Sequence, residues 1–404
     1  MKVRLKSMGI LLVSISVFTG CFKWGSRAYD RFPETIALDK NYFYEGKVII
    51  VGAGASGLAA ARILERNNIN YEILEATDRY GGRLQKDTLL ADFPIDLGAE
   101  WIHNQPGILN KLIGLPGDWT SEELLPYSID SVFSWDGIDY VQTEKEELDA
   151  FFNFFPEYKF KSSTWFDYVD DNFARHVKHK IRFNTPVSEI DYSSNKVILK
   201  TKDGVEHVAD KVLVTVSIGV LKADVIKFNP VLSNKKIRAI NRVEFLPGFK
   251  LAMKFSEKFY PDAITFDSDI GDHGYYDMAF KKLSEDYILT LLSTGASPEE
   301  YFGVETNEEI VSAALIELDE IFNGTASSTF TGAYSLRDWG SEEYILGTWT
   351  NAALNKNFNL NALNEPLDNR VYFAGEINDA HRQMGVPGAI LSGYFAINNL
   401  LMNE

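Results

Sequence analysis

The stretch VIIVGAGASGLAAARIL, residues 48–64, followed by EILEATDRYGGRL, residues 72–84, decides the fold. Val48 to Val51 is an apolar run, Gly52, Gly54 and Gly57 stand in the spacing GxGxxG, and the Ala/Leu-rich continuation has helical periodicity. That order of strand, turn and helix is the context the motif requires. Gly52 permits the tight turn, Gly54 lets the backbone approach a pyrophosphate, and Gly57 lets helix and strand pack closely. The N–H groups at the helix start, around Ala55 and Ser56, are available to phosphate oxygens. A second strand, Tyr71 to Leu74, ends at Glu75, with Ala76 beside it, placed for a ribose hydroxyl. A bare glycine turn would need neither the flanking elements nor the correctly spaced acid, so a bound dinucleotide is expected.

Residues 79–84, RYGGRL, supply a second glycine pair that includes Gly82, then Arg83 and Leu84. A guanidinium at Arg83 suits a two-pronged grip on a pyrophosphate, an element that a plain nicotinamide site does not need. Here the chain resembles the flavin amine oxidases, the family of the monoamine oxidases, polyamine oxidases and flavin-dependent histone lysine demethylases. The resemblance covers most of residues 44–404 and implies FAD. It also implies an α/β architecture: a discontinuous Rossmann-like FAD-binding domain from residues 44–103, 176–245 and 346–404. An α+β substrate domain from 104–175 and 246–345 completes it, with its helical part shortened.

Several separated segments carry the resemblance, and it gives each a role. AEWIH, residues 99–103, resembles the family's GANW or GASWIH turn at the substrate side of the flavin. This puts Gly98, Ala99, Glu100 and Trp101 against the cofactor, Trp101 and His103 in the substrate channel, and Glu100 in reach of an ammonium group. An acid in a turn is ordinarily solvated. In NTPVSEI, Val187 sits where the family lays the adenine against backbone, and VLVTVSIGVLKAD resembles the family's TVPLGVL with Ser217 in place of proline. In LPGFKLAMKFSEKFY, Lys250 occupies the position of the lysine that holds a water against the flavin's reactive nitrogen; Lys254 and Lys258 are the register alternatives and read as surface residues. RDWGSEEYILGTWTNA places Trp349 at the first position of an aromatic cage, and the second position falls on Gly385. In VYFAGEINDAHRQMGVPGAILSGYFAINNLL, Gly375 and Glu376 match the family's FAGE at the ribityl and phosphate region. Val386 to Gly388 then begin a helix whose N-terminus faces the flavin's pyrimidine end, with Gly388 and Ala389 letting the backbone come close. His381 has no assigned role.

Alternation predicts strands over Lys196–Thr201, Glu206–Val216 and the run holding Leu251, Met253 and Phe255, the apolar run Val371–Ala374 reads as a buried strand, and Ile310, Ala314, Leu318 and Ile321 form one helical apolar face. Residues Glu122 to Val177 read as aromatic-rich helical pieces making a reduced lid, among them Phe151–Phe155 and Trp165–Phe173. The double-glycine turn that relatives carry near the flavin is not found there.

The 404 residues are 45% hydrophobic and 24% charged, with a formal net charge of −17, which argues against a nucleic-acid partner and favours cationic solutes such as amines. At the N-terminus, Lys2, Arg4 and Lys6 precede an apolar run from Met8 to Thr19 that is too short to span a bilayer, and FTGC ends at Cys21. This resembles a bacterial lipoprotein signal over residues 1–21, followed by a linker over 22–43. Export to the periplasm with a lipid anchor at Cys21 is expected; an ordinary cleaved signal and an uncleaved anchor are the alternatives. No arginine pair marks a twin-arginine route for an already folded flavoprotein. Cys21 is the only cysteine, so no internal disulfide forms and the cysteine tether of the monoamine oxidases is missing; the FAD is expected to be noncovalent. His176 and His179 are spaced for a metal, but Lys178 and Lys180 beside them mark a solvated helix end and no third ligand is identifiable, so no metal is expected. No membrane helix is expected after the last segment.

Three functions are compatible with these residues. The resemblance favours an FAD amine oxidase that takes a hydride from a primary or secondary amine, a polyamine included, and passes electrons to dioxygen. An L-amino-acid oxidase would need an arginine for the carboxylate, with Arg337 and Arg382 the candidates. A flavin-bound interaction protein that has lost turnover through its shortened lid is the third. Oligomeric state is not legible.

Overall fold

In the computed structural model, residues 37–115, 123–266, 273–295, 306–349, 359–379 and 385–402 are described. The N-terminal signal with Cys21, and also His381 and Arg382, lie outside them.

Short apolar runs build a five-stranded parallel sheet in the order Val371–Phe373, Lys211–Val214, Val48–Val51, Tyr71–Leu74, Ile181–Arg182. Val48–Val51 and Tyr71–Leu74 are buried at every position, as expected of a sheet covered on both faces. Alternation divides the load. Val48, Ile50, Ile73 and Leu213 face the helices Ala55–Arg66 and Gly385–Met402, while Ile49, Val51, Leu74, Val212 and Val214 face a second sheet. That sheet has the order Glu206–Ala209, Val197–Thr201, Val187–Asp191, Lys227–Asn229. The two helices meet closely: a Cβ on Gly393 would lie 2.3 Å from the Ser56 carbonyl oxygen.

The single strand expected over Glu206–Val216 is in fact two strands in two different sheets, broken at Asp210. The Asp210 carboxylate accepts the Lys47 N–H at 2.9 Å and its own N–H reaches the Lys47 carbonyl at 2.9 Å, so this residue is a corner rather than a ladder position.

A seven-stranded sheet forms the other half, in the order Phe330–Asp338, Gly248–Phe255, Tyr287–Thr294, His273–Asp277, Ala263–Phe266, Val132–Trp135, Tyr140–Gln142. The helix Asn307–Phe322 starts at a capping box between Thr306 and Glu309 and covers one face. Against it pack Phe249, Leu251, Met253 and Phe255, meeting Ile310, Ala314 and Leu318, with Ile321 partly buried beside them. The period of two then turns Lys250 and Ala252 to the opposite face.

The stretch expected to be a helical lid is mixed. Val132–Trp135 and Tyr140–Gln142 extend the seven-stranded sheet, and only Lys145–Phe154 covers its apolar face as a helix. Gly107–Leu112 and the helical turns from Trp165 to Val177 pack instead into the core beside Ala55–Arg66, away from the substrate-domain sheet. Long aromatic runs read as helix because burial of large rings is common to helices and edge strands, and only strand pairing separates them.

Candidate active site

One continuous cavity runs from the GxGxxG turn to the face of the seven-stranded sheet that carries Lys250. Its nucleotide end is shaped by glycines. Gly52 has φ +103°, a conformation that other residues rarely adopt. A Cβ on Gly57 would lie 2.2 Å from the Gly52 carbonyl oxygen, whereas one on Gly54 meets nothing within 4 Å. Gly57 therefore serves packing, and Gly54 leaves room for an incoming group. The helix behind them has Gly54 as its N-cap with no side chain capping its N–H groups, an arrangement that suits a phosphate. The Glu75 carboxylate accepts from Ala53 N at 2.8 Å and from Thr77 N and Oγ1 at 3.0 and 2.8 Å. A carboxylate has about four acceptor positions, so one remains to take a ribose hydroxyl. This cradle fits the adenine dinucleotide that the motif implies.

From the other side, Arg83 Nη1 donates to Glu376 Oε2 at 2.6 Å and to the Thr348 carbonyl at 2.5 Å. The turn around Arg83 is itself tied by Arg79, which donates to the carbonyls of Gly82 at 2.7 Å and Leu84 at 3.2 Å. The helix Gly385–Met402 opens onto the cavity at Gly385, φ +65°.

At the far end the floor is charged and buried. Lys250 is 2% exposed, and its Nζ donates to the carbonyls of Asp96 and Gly98 at 2.9 and 3.0 Å and to Glu100 Oε2 at 2.8 Å. An ammonium has three N–H groups, and all three have protein acceptors; this differs from the expectation of a lysine that holds a water. Glu100 also differs from expectation. It is buried, and protein ammonium groups occupy it: Lys250 on Oε2, and Lys159 Nζ at 2.6 Å from Oε1. Burial alone would raise the Glu100 carboxyl; the two lysines outweigh it and hold it down at about 2. Asp96, buried beside the Glu100 charge, is pushed well above the usual carboxylate range.

An antiparallel bridge between Ile102 and Tyr158 explains which residues meet here. It sets Lys159 opposite Trp101 and Glu157 opposite His103, and His103 Nδ1 lies 2.7 Å from Glu157 Oε2. Trp101 stacks obliquely on Tyr276 at 4.9 Å between centroids. Trp349 packs against the same apolar cluster and borders the cavity.

The cavity is lined by Gly52, Gly54, Ala55, Ser56, Glu75, Ala76, Gly82, Arg83, Leu84 and Val187 at the nucleotide end. Gly98, Ala99, Glu100, Trp101, His103, Lys250, Trp349, Gly375, Glu376, Gly385, Val386 and Ala389 line the remainder. Gly57 stays behind the wall. Arg337 does not reach it; its Nη2 pairs with Glu342 at 2.8 Å. Lys254 and Lys258 pair with Asp286 and Asp277 at 2.7 Å each, partly exposed. Sequence reasoning passed over Lys159, Glu157, Arg79 and Tyr276; a single lysine or glutamate in a short strand carries no spacing signal. Among the described residues no group of three His, Cys, Asp or Glu suits a metal. His179 lies 3.6 Å from Glu65. No helix of the described residues is long and apolar enough to cross a membrane.

Comparison with known proteins agrees with this geometry. The profile of the family described as flavin containing amine oxidoreductase matches residues 55–157 and 134–397. Polyamine oxidase 1 of Zea mays is 26% identical, the match covering 86% of this chain and 88% of that protein. Lysine-specific histone demethylase 1B of Mus musculus is 24% identical over 87% of this chain and 52% of its own length. Among solved structures, cyclohexylamine oxidase from Brevibacterium oxydans superposes with a TM-score of 0.67 at 18% identity, covering 89% of this chain and 99% of that one. A putrescine oxidase redesigned at its cofactor site gives 0.69 at 15%, with the same coverage, so the fold is shared. A cradle shaped for an adenine dinucleotide, joined to a buried lysine floor and matched along most of its length, places this chain in the flavin-containing amine oxidoreductase family, FAD-dependent oxidoreductases acting on CH–NH groups.

Proposed function

We propose that the protein oxidises a primary or secondary amine to an imine, which water converts to a carbonyl compound, with dioxygen reduced to hydrogen peroxide. The observation that carries this reading is the cavity itself: the dinucleotide cradle, the Arg83–Glu376 link and the floor of Lys250, Trp101 and Trp349 border one space. When bound, FAD supplies the two-electron acceptor and its reoxidation by dioxygen. The chain's residues bind, orient and exclude water. Trp101 and Trp349 offer apolar walls, and desolvation there favours the uncharged amine over its ammonium form. Lys250, fixed by three acceptors, holds its Nζ at a set place on the floor. His103, held through Nδ1 by Glu157, is placed to meet the substrate nitrogen or a second polar group.

The names of the relatives, polyamine, putrescine and cyclohexylamine oxidases, support an amine, a polyamine included. Against an amino-acid substrate stands Arg337, which is paired with Glu342 and does not line the cavity; the other candidate, Arg382, lies outside the described residues. We infer that the cofactor is held without a covalent bond and that residues 1–21 export the chain with lipid at Cys21. Acid precipitation should release FAD into the supernatant, and a clickable fatty acid should label the wild type and not Cys21→Ser.

The deciding experiment is anaerobic mixing of the yellow holoprotein with spermine, spermidine, benzylamine and leucine, followed by peroxide assay in air. Bleaching by an amine and not by leucine is expected. Lys250→Met should retain FAD and lose most of the bleaching rate. A holoprotein that no amine reduces would overturn the proposal.

A further inference from the structure

Lys159 reaches the floor of the site from behind. The Ile102–Tyr158 bridge brings it across from Trp101, and its Nζ lies 4.6, 4.1 and 4.6 Å from the ring centroids of Trp101, Tyr127 and Tyr276. The open side of this three-walled cage is closed by Glu100 Oε1 at 2.6 Å. Such a cage with a carboxylate is how proteins receive an ammonium ligand; here the occupant is the protein's own side chain. Glu100, Trp101 and Lys250 all border the cavity, and Lys159 touches the first two without bordering it. Tyr276 completes the set, donating to Glu100 Oε2 at 2.6 Å, the oxygen that also takes Lys250.

A reason for this arrangement follows from charge. The turn resembled by residues 99–103 carries asparagine or serine where this chain has Glu100. A glutamate there buries an anion beside Lys250, and a buried anion without sufficient counter-charge is costly. Lys159 supplies the second cation.

We propose that Lys159 is a positioning residue: its ammonium holds Glu100 against Lys250 and fixes Trp101 in the cavity wall. The inference rests on the reading of Lys250 and Trp101 as the substrate-facing floor. The groups facing Lys159 are Glu100, Lys250, Tyr127 and Tyr276, with Asp96 and Lys282 charged or titratable behind them and Asp262 and Asp277 acting on Tyr127. Burial outweighs the Glu100 attraction and lowers the Lys159 ammonium to about 8, so the proton leaves within a measurable range. Once it has left, Glu100 Oε1 has no ionic partner and the carboxylate is drawn to Lys250 alone.

The test uses wild-type holoprotein, Lys159→Met, Lys159→Arg and the double variant Lys159→Met with Glu100→Gln. The absorbance of oxidised FAD is followed from pH 6.5 to 10 without substrate, and anaerobic bleaching by benzylamine and spermine is followed over the same range. A spectral step near pH 8 is expected in the wild type, absent from Lys159→Met, and displaced out of the range in Lys159→Arg, whose guanidinium keeps its proton. Bleaching should fall at least tenfold in Lys159→Met with FAD content unchanged, stay within threefold in Lys159→Arg, and recover in part in the double variant. A Lys159→Met protein that binds FAD and keeps the wild-type step and bleaching profile overturns the proposal. If Lys159→Met does not fold, a step still near pH 8 in Lys159→Arg does so instead. If no amine bleaches the wild type, the functional reading fails, and the spectral step still decides the role of Lys159.

Discussion

Arg83 and Glu376 lie 293 positions apart in the chain and 2.6 Å apart in the fold, and their contact joins the N-terminal cofactor turn to the C-terminal one. The Glu376 side chain is 7% exposed and the Arg83 side chain 25%, so the pair is partly shielded from solvent. Removing one partner of such a pair costs more than the pair contributes, because the other keeps its desolvation penalty. Arg83→Ala should lower the stability of the FAD-free protein by about 2 kcal/mol. FAD affinity should weaken at least tenfold, and Arg83→Lys, with one prong, should fall between. Urea unfolding and FAD titration of both single variants and of Arg83→Ala with Glu376→Gln give a double-mutant cycle. Strict additivity would show that the contact carries nothing.

Gly54 and Gly57 belong to one motif and should fail in opposite ways. Gly54→Ala places its methyl in open space, so apo stability should stay within about 0.5 kcal/mol, while FAD binding weakens at least tenfold as the methyl meets the pyrophosphate. Gly57→Ala drives a methyl against the Gly52 carbonyl at 2.2 Å and Thr215 Oγ1 at 2.8 Å. It should destabilise the apoprotein by about 3 kcal/mol before any cofactor is added. Equal effects of the two substitutions on apo melting would contradict this division.

The charged floor predicts that stability rises with pH in two separate windows, one acidic and one alkaline. Glu100 is held at about 2, below the ordinary 4.5, so its contribution is present above pH 4.5 and is lost as pH falls toward 2. Glu100→Gln should therefore be less stable than wild type by on the order of 3 kcal/mol at pH 7, and the two should converge in acid. Lys159 is lowered to about 8 from 10.5. Between those values the unfolded chain binds a proton that the folded protein does not, so this lysine makes stability rise with pH across that window. Urea midpoints of wild type and Lys159→Met, taken every half pH unit, should show the rise only in the wild type.

The nucleotide half of the site was legible because backbone chemistry leaves a mark on residue type. Only glycine tolerates the φ of Gly52 and the contact at Gly57, and only an acid at the end of Tyr71–Leu74 reaches across to Ala53 N. Lys250 was legible only through its resemblance, because a lysine at a strand start is ordinarily solvent-exposed and alternation alone does not bury it. Lys159 and Glu157 were not, because what makes them part of the site is a two-residue bridge between Ile102 and Tyr158, and nothing in EYKF announces where it pairs. The break at Asp210 was missed for a similar reason: its carboxylate answers to Lys47, far away in sequence. Glu100 was misread since an acid in a turn is normally solvated, and its two cations come from distant strands.

The Ile102–Tyr158 bridge also supplies the last expectation, at the substrate end. Glu157 has a side-chain exposure of 2% and holds His103 Nδ1 at 2.7 Å, so the carboxylate fixes the ring and leaves Nε2 as the atom able to act on a ligand. The structure places His103 on the cavity wall and Glu157 behind it. Glu157→Gln keeps an acceptor for the ring N–H but removes the charge, whereas Glu157→Leu removes both. With the amine that bleaches the wild type most rapidly, kcat/KM should fall about tenfold in Glu157→Gln, corresponding to about 1.4 kcal/mol, and further in Glu157→Leu. FAD affinity should be unchanged in both, because neither residue touches the nucleotide cradle. A loss carried by KM would place His103 in substrate binding. A loss carried by kcat, with an acid limb displaced in the pH profile, would place it in proton transfer. Equal kcat/KM in all three proteins would remove the pair from the site's chemistry.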